Sequence, residues 1–444
     1  MSERNIKAGD PAPSVAETTL GRPLRVALIV LRFPVANETP IIRHLEGLLA
    51  RGVDAQVFCD RSSPHEWQRF PELKERTRGR VHPTRSKVRR YLAPLIAPAV
   101  MLRALGRNPK GTRRYLRRGR AQFGWSFISR FYFDADLVAF KPDVVHFEFG
   151  YNALRSIYLK ELLGCRAVSS FRGSDANFEG LADPRYFAQV WAQTDAFHFL
   201  GADLRRRVLE RGCPPDTPFR LIAPSVNASR FAQFEPGEQT RAGELGSVAR
   251  PLRVLSVGRL VWKKGHEYML QAVRLLQDAG LHCEVRIIGR GEFREAIEFA
   301  RRDLNLENCV ELLGVRPHHE IAEHMAWADV LVHASVSEGF CNAVLEAQAA
   351  GVPVVCSDAD GLSENVADGI TGFVVPRRDP HALAAKIREL ACDGTLRQQL
   401  GEAGRNRARQ HFAPAREIDG FLALYALALR GGEAPLDNEA TRAS

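Results

Sequence analysis

Apolar residues recur along this chain in two forms, short unbroken runs and amphipathic stretches with a period of about 3.6 residues, and the alternation of the two begins twice. LRVALIVLRFPVANETPIIRHLEGLLARGVDAQVFC opens at Leu24, and LRVLSVGRLVWKKGHEYMLQAVRLLQDAGLHCEVRIIG opens at Leu252. Each passes from a β-branched run through a loop into an amphipathic helix that ends at a glycine, Gly52 or Gly280, and then into a second apolar run. That is the start of a strand–helix–strand unit. Strands that are apolar throughout are buried on both faces, which means parallel sheets covered by helices. Two such starts predict two doubly wound α/β domains.

In the first half DVVHFEF, CRAVSSF, AFHFLG and FRLIAPSV continue the strand series; in the second VRIIG, CVELLG, VLVHAS, PVVCSD and GFVV do so, with helices between them. The pattern predicts a disordered lead-in at 1–22 and a first Rossmann-like domain at 23–230, with a basic helical insertion at 78–135. A linker follows at 231–250, then a second Rossmann-like domain at 251–413. A closing helix at 414–430, expected to pack back on the first domain, and a disordered tail at 431–444 complete the chain. In open parallel sheets ligands sit beyond the carboxyl ends of the strands, so two such domains are expected to face each other across a ligand-binding cleft.

Composition narrows the class. At 444 residues, 45% of them apolar, the chain can bury two sizeable cores. Its eight cysteines form no C-x-x-C pair and sit largely in apolar runs, which suits buried thiols in a reducing compartment. The N-terminus lacks an apolar signal core, and the apolar stretches YLAPLIAPAVML and FLALYALAL are shorter than the roughly 20 residues a membrane-spanning helix needs. The net charge of +10 is local: fourteen Lys and Arg, with no Asp or Glu, lie between Arg78 and Arg120, and the remainder of the chain is net acidic. Arginines beside apolar and aromatic residues suit an anionic membrane surface better than nucleic acid, with packing of the insertion on its own domain as the plainer reading.

The chemistry-bearing residues collect in the second half. SVGRLVWKKG puts Arg259, Lys263 and Lys264 between a strand end and a helix start, where they can hold a phosphate or form a solvated loop. SVSEGFCNAVLEAQAAG puts Glu338 in a turn after a buried strand, with a helix predicted to start near Asn342 and stop at Gly351. Its backbone N–H groups from Phe340 to Ala343 are expected to face a ligand, and Glu346, one turn in, could take hydrogen bonds from a vicinal diol. Two carboxylates could also be an acid/base pair, and each alone could be a solvated helix-start residue. No histidine cluster of metal-ligand type is evident: His318-His319 reads as surface, and the D-x-D spacing in SDAD (357–360) reads as loop polarity.

GRLVWKKG, followed by EGFCNAVLEAQAAGVPVVCSDADGLSENVADGITGFVVPRRDP, resembles the donor half of the family-4 retaining glycosyltransferases of the GT-B fold, with their E-x7-E pattern at Glu338 and Glu346. FPVANETPIIRHL, DVVHFEFG and SSFRGSD resemble the same family more loosely, and the FP…ETP stretch is similar to its colanic-acid and exopolysaccharide type. The resemblance implies that Arg259 and Lys264 hold a donor diphosphate and that Glu346 binds the ribose. It implies that Glu338 lies against the donor sugar, with Phe340, Cys341 and Asn342 giving backbone contacts. Ile288, Gly289 and Arg316 would flank the base. Many relatives have a His where Arg172 stands, so the acceptor-side role falls to Arg172, to His146 or to no residue, His146 being equally readable as a packed core histidine. Cys341 stands where relatives often have Gly, and Asn227 replaces a frequent Asp.

The resemblance thus implies retaining transfer of a sugar from a UDP- or GDP-sugar to a polysaccharide or lipid-linked saccharide, without metal or other cofactor and without nucleic acid. It implies a cytoplasmic enzyme, and the basic segment Arg78 to Arg120 favours a peripheral place on the inner face of the membrane over packing alone. A GT-B epimerase, a glycogen-synthase-like polymerase and a non-catalytic scaffold share the same fold.

Overall fold

The computed structural model describes residues 21–35, 39–83, 92–231 and 243–431. The expected lead-in, most of the linker, the tail and the ANE of FPVANETP lie wholly or mostly outside these residues. The chain divides into two compact units.

The first unit holds a seven-stranded sheet of order β3-β2-β1-β4-β5-β6-β7: β1 (Arg25–Arg32), β2 (Asp54–Arg61), β3 (Val81–Pro83), β4 (Val144–Phe147), β5 (Arg166–Phe171), β6 (Ala196–Phe199) and β7 (Phe219–Leu221). Every neighbouring pair is parallel. β4 and β6 are buried from end to end, with one histidine in each of these otherwise apolar strands. The helix Pro414–Leu429 begins in the second unit, and from Ile418 onward it belongs to the first. There Ile418, Phe421, Leu424, Tyr425 and Ala428 join the core built on β1 and β2.

Between β3 and β4 the basic segment folds as helices Ala93–Arg107, Pro109–Phe123 and Phe127–Phe140. They have a small core of their own, in which Ala104, Tyr115, Phe131, Ala135 and Val138 meet Leu162. The hydroxyls of Tyr115 and Tyr158 donate to the buried Asp134 carboxylate, and burial pushes that carboxyl up to about 6. The plainer reading of the insertion is therefore half right: one face packs, but Leu95 and Leu102 are 77% and 72% exposed.

The second unit holds a six-stranded parallel sheet of order β10-β9-β8-β11-β12-β13: β8 (Leu252–Val257), β9 (Cys283–Ile288), β10 (Val310–Gly314), β11 (Val330–His333), β12 (Val354–Ser357) and β13 (Gly372–Val375). Both sheets reverse their strand order once, between β1 and β4 and between β8 and β11. At such a point the connections leave in opposite directions, opening a crevice at the carboxyl ends of the strands.

Candidate active site

At the switch point of the second sheet the loops after β8 and β11 both carry charge. The first loop ends in the turn Trp262–Lys264 and Gly265, whose φ is +60°. A Cβ at Gly265 would lie 2.1 Å from the Ala334 carbonyl oxygen, so only glycine lets this loop close on the end of β11. The Val336 N–H donates to the Lys263 carbonyl (2.7 Å) and holds the two loops together. Closure drives the Lys264 ammonium against the Glu338 carboxylate, an ion pair with side chains only 10% and 12% exposed. Burial alone would raise the Glu338 carboxyl, but Lys264 and His333 hold it far below the usual range. Burial likewise lowers Lys264, and Glu338 outweighs it, leaving the ammonium raised.

Sequence reasoning missed His333, the last residue of β11. Its Nε2 lies 3.3 Å from Lys264 Nζ and 3.3 Å from Cys341 Sγ. It was hidden because one His ending an apolar run looks like any strand residue. Asp360 was also misread. Far from loop polarity, it is buried; its Oδ2 accepts from the Ser337 hydroxyl and the Glu338 N–H, and its Oδ1 takes Arg377 Nη1 at 3.0 Å. It thereby tethers the turn that presents Glu338.

The helix runs Asn342–Ala350 and ends at Gly351, φ +78°, as predicted. One of its expected ligand-facing donors is taken: the Cys341 N–H donates to Asn365 Oδ1 at 3.2 Å. Glu346 is 13% exposed, with Oε1 3.6 Å from Nε2 of His318, which is exposed as expected. Arg259 is exposed in the loop after β8. Ile288 is buried in the core, so its side chain is packed and not presented to a ligand. Arg316 is half-buried, its Nε 3.9 Å from Glu320. Phe340 packs edge-on against Phe412, ring centroids 5.9 Å apart. Asn227 caps the short turn Ala228–Arg230, accepting from Ser229 N at 3.2 Å.

In the first unit Arg172, just past β5, pairs with Glu148 just past β4. His146 is a correction. It is fully buried inside β4, its Nδ1 2.7 Å from Tyr425 Oη and its Nε2 2.7 Å from Ser170 Oγ, and burial lowers it to about 3. Both ring nitrogens are committed to the core.

The histidines do cluster, contrary to expectation. His44, His146 and Glu148 form one group and His333, Glu338 and Cys341 another, each with ligand-capable atoms within 4.8 Å of one another. Neither fits a cation as it stands. The first group spends these atoms on hydrogen bonds, and the second already holds the Lys264 ammonium.

Two parallel sheets in one chain, each with a switch point, make an α/β fold shared with GT-B glycosyltransferase structures. A glycosyltransferase structure from Rickettsia africae matches with a TM-score of 0.68 and 16% identity, covering 92% of this chain and 99% of that one. Anabaena HepE in complex with UDP and glucose matches with a TM-score of 0.66 and 16% identity, covering 91% and 99%. Residues 239–407 match the model of the glycosyl transferases group 1. The amylovoran biosynthesis glycosyltransferase AmsK of Erwinia amylovora is 30% identical over 262 residues, 57% of this chain and 62% of its own length. WcaL of Escherichia coli, assigned provisionally by its name to colanic acid biosynthesis, is 26% identical over 380 residues, 82% of this chain and 90% of its own.

Proposed function

We propose that the chain is a retaining, family-4 glycosyltransferase that moves a sugar from a UDP- or GDP-sugar to a polysaccharide or lipid-linked saccharide during surface polysaccharide synthesis. The observation that carries this reading is the buried Lys264–Glu338 pair at the β8/β11 switch point, one turn from a helix N-terminus. A departing nucleoside diphosphate develops negative charge, and Arg259, Lys264 and the helix N-terminus supply preorganised positive potential for it from the protein alone. Glu338 then accepts from the sugar hydroxyls and sets the pose of the anomeric carbon, while Glu346 takes the ribose diol. Front-face attack, with the leaving phosphate accepting the acceptor's proton, needs no protein base at this site. Arg172 is the acceptor-side contact.

The test is a panel of UDP- and GDP-sugars, read as free nucleotide released with and without a lipid-linked saccharide acceptor. Acceptor-dependent release from one donor, with the anomeric configuration kept in the product, is expected. Binding without release under every acceptor would indicate a scaffold, and free nucleotide with an isomerised sugar an epimerase.

The reading includes a cytoplasmic enzyme docked on an anionic membrane. Leu92, Leu95, Ile96 and Leu102 share one exposed helix face, and Arg113, Arg117 and Arg120 share another. Arg114 and Arg118 are spent differently, donating to the carbonyls of Leu163 (3.1 Å) and Glu161 (2.6 Å). Each inserted Leu contributes about 1.5–3 kcal/mol and each Arg about 1 kcal/mol. Leu95→Glu, Leu102→Glu, Arg113→Gln and Arg117→Gln together should therefore weaken co-sedimentation with phosphatidylglycerol-containing vesicles at least about a hundredfold. Unchanged co-sedimentation would remove the membrane from the reading.

A further inference from the structure

The switch point of the first sheet holds its own buried polar cluster, and its hydrogen bonds can be followed link by link. His198 Nε2 faces the Ile222 carbonyl at 2.9 Å, and a carbonyl only accepts, so that nitrogen carries the proton. The ring is fully enclosed and burial holds it neutral, so Nδ1 accepts from Ser170, 2.7 Å away. The Ser170 oxygen must then accept from His146 Nε2, also at 2.7 Å. His146, neutral for the same reason, accepts at Nδ1 from the Tyr425 hydroxyl (2.7 Å). Tyr425 in turn accepts from His44 Nε2 at 3.0 Å. His44 Nδ1 meets Glu148 Oε1 at 2.7 Å, and Glu148 Oε2 holds Arg172 Nη2.

One direction of donation satisfies these links, running from His44 Nε2 to the Ile222 carbonyl, and the other nitrogen of His44 faces Glu148. With a guanidinium on its other oxygen Glu148 is ionised, so His44 donates from both nitrogens. The carboxylate, fully buried, is thus locked between His44 and Arg172, while its backbone carbonyl accepts from Arg172 Nε at 3.1 Å. Arg172 is the one member at the edge of the cluster, 9% exposed, beyond the carboxyl end of β5. The other members are walled in by β4, β5, β6 and the helix Pro414–Leu429.

We propose that Glu148 is a positioning residue for glycosyl transfer: with His44 and Tyr425 behind it, it fixes Arg172 in the one orientation that meets the acceptor sugar or its phosphate. This rests on the acceptor-side reading of Arg172. A freely rotating Arg at that place would lose several rotamers on each turnover, and the clamp removes that loss before substrate arrives.

The test is a double-mutant cycle of Glu148→Gln and Arg172→Ala, with turnover of the donor identified by the nucleotide-sugar panel and folding monitored by circular dichroism. Glu148→Gln is expected to lower kcat about 10- to 100-fold with the donor KM unchanged, and the double variant to be no slower than Arg172→Ala alone. In ¹⁵N spectra of the unliganded protein, His44 should show both nitrogens protonated, and the Arg172 Nε signal should broaden in Glu148→Gln. Multiplying effects in the double variant, or a singly protonated His44, would overturn the proposal alone. An Arg172→Ala enzyme as fast as the wild type would overturn the acceptor-side reading and this proposal with it. Should Glu148→Gln fail to fold, Tyr425→Phe, which removes one oxygen from the chain, takes its place in the cycle with the same expected non-additivity.

Discussion

Replacing Lys264 by Met should lower turnover about 10²- to 10³-fold, the cost of losing one preorganised charge at a developing oxyanion, and should destabilise the second unit as well. The two effects have separate causes. Lys264 is nearly enclosed, and so is the carboxylate it neutralises. Removing one partner of a buried pair leaves the other uncompensated, at about 3–5 kcal/mol. The pH dependence follows from the directions of the two shifts. Glu338 is depressed from 4.5, so its share of the stability is complete above 4.5 and is lost as pH falls through its folded value. Lys264 is raised from 10.5, so its share is present below 10.5 and is lost as pH rises through its folded value. The pair therefore stabilises fully between those two pH values, and urea unfolding at neutral pH should show the whole deficit of Lys264→Met. As pH falls well below 4.5, wild type and variant should converge. Superimposable unfolding curves at neutral pH would mean that the pair contributes nothing, whatever its geometry.

Both sheets were legible because parallel strands buried on two faces leave unbroken apolar runs, and the βαβ start repeats; the exception is the short, partly exposed edge strand β3, which falls inside the stretch expected to be a helical insertion. The helix Asn342–Ala350 was legible at both ends for local reasons, a turn before it and a left-handed glycine after it. What surrounds these elements was not. Lys264 and Glu338 lie 74 positions apart, and only the β8/β11 reversal makes them neighbours. His333 and Asp360 were visible as letters, but their partners come from other loops. The first unit carries the extreme case, since Tyr425 and His44 are 381 positions apart and no periodicity links them. Charge counting misled in a different way: Arg114 and Arg118 belong to the densest basic run, yet both serve carbonyls of the next helix layer. Sequence reveals periodic packing, whereas buried polar satisfaction depends on which loops share a sheet edge.

Glu346 offers the sharpest test of where the nucleotide lies. Placed on the helix Asn342–Ala350 and 13% exposed, it presents a carboxylate beside His318. A ribose diol donating both hydroxyls to it would make two hydrogen bonds to a charged acceptor, each contributing about 1.5–3 kcal/mol when a partner is removed. Calorimetric titration with UDP and with GDP should therefore show Glu346→Ala binding whichever nucleotide the enzyme uses at least about a hundredfold more weakly. Glu346→Gln keeps an acceptor but loses the charge, so its deficit should be smaller, about tenfold. The decisive comparison uses the same nucleoside diphosphate with its 2′,3′-diol deleted. If carboxylate and diol meet, removing either one removes the same interaction, and the diol-less ligand should bind wild type and Glu346→Ala with nearly equal affinity. A diol deletion that costs Glu346→Ala as much as it costs the wild type would put the ribose elsewhere, leaving Glu346 to hold His318 and the helix Asn342–Ala350 in place.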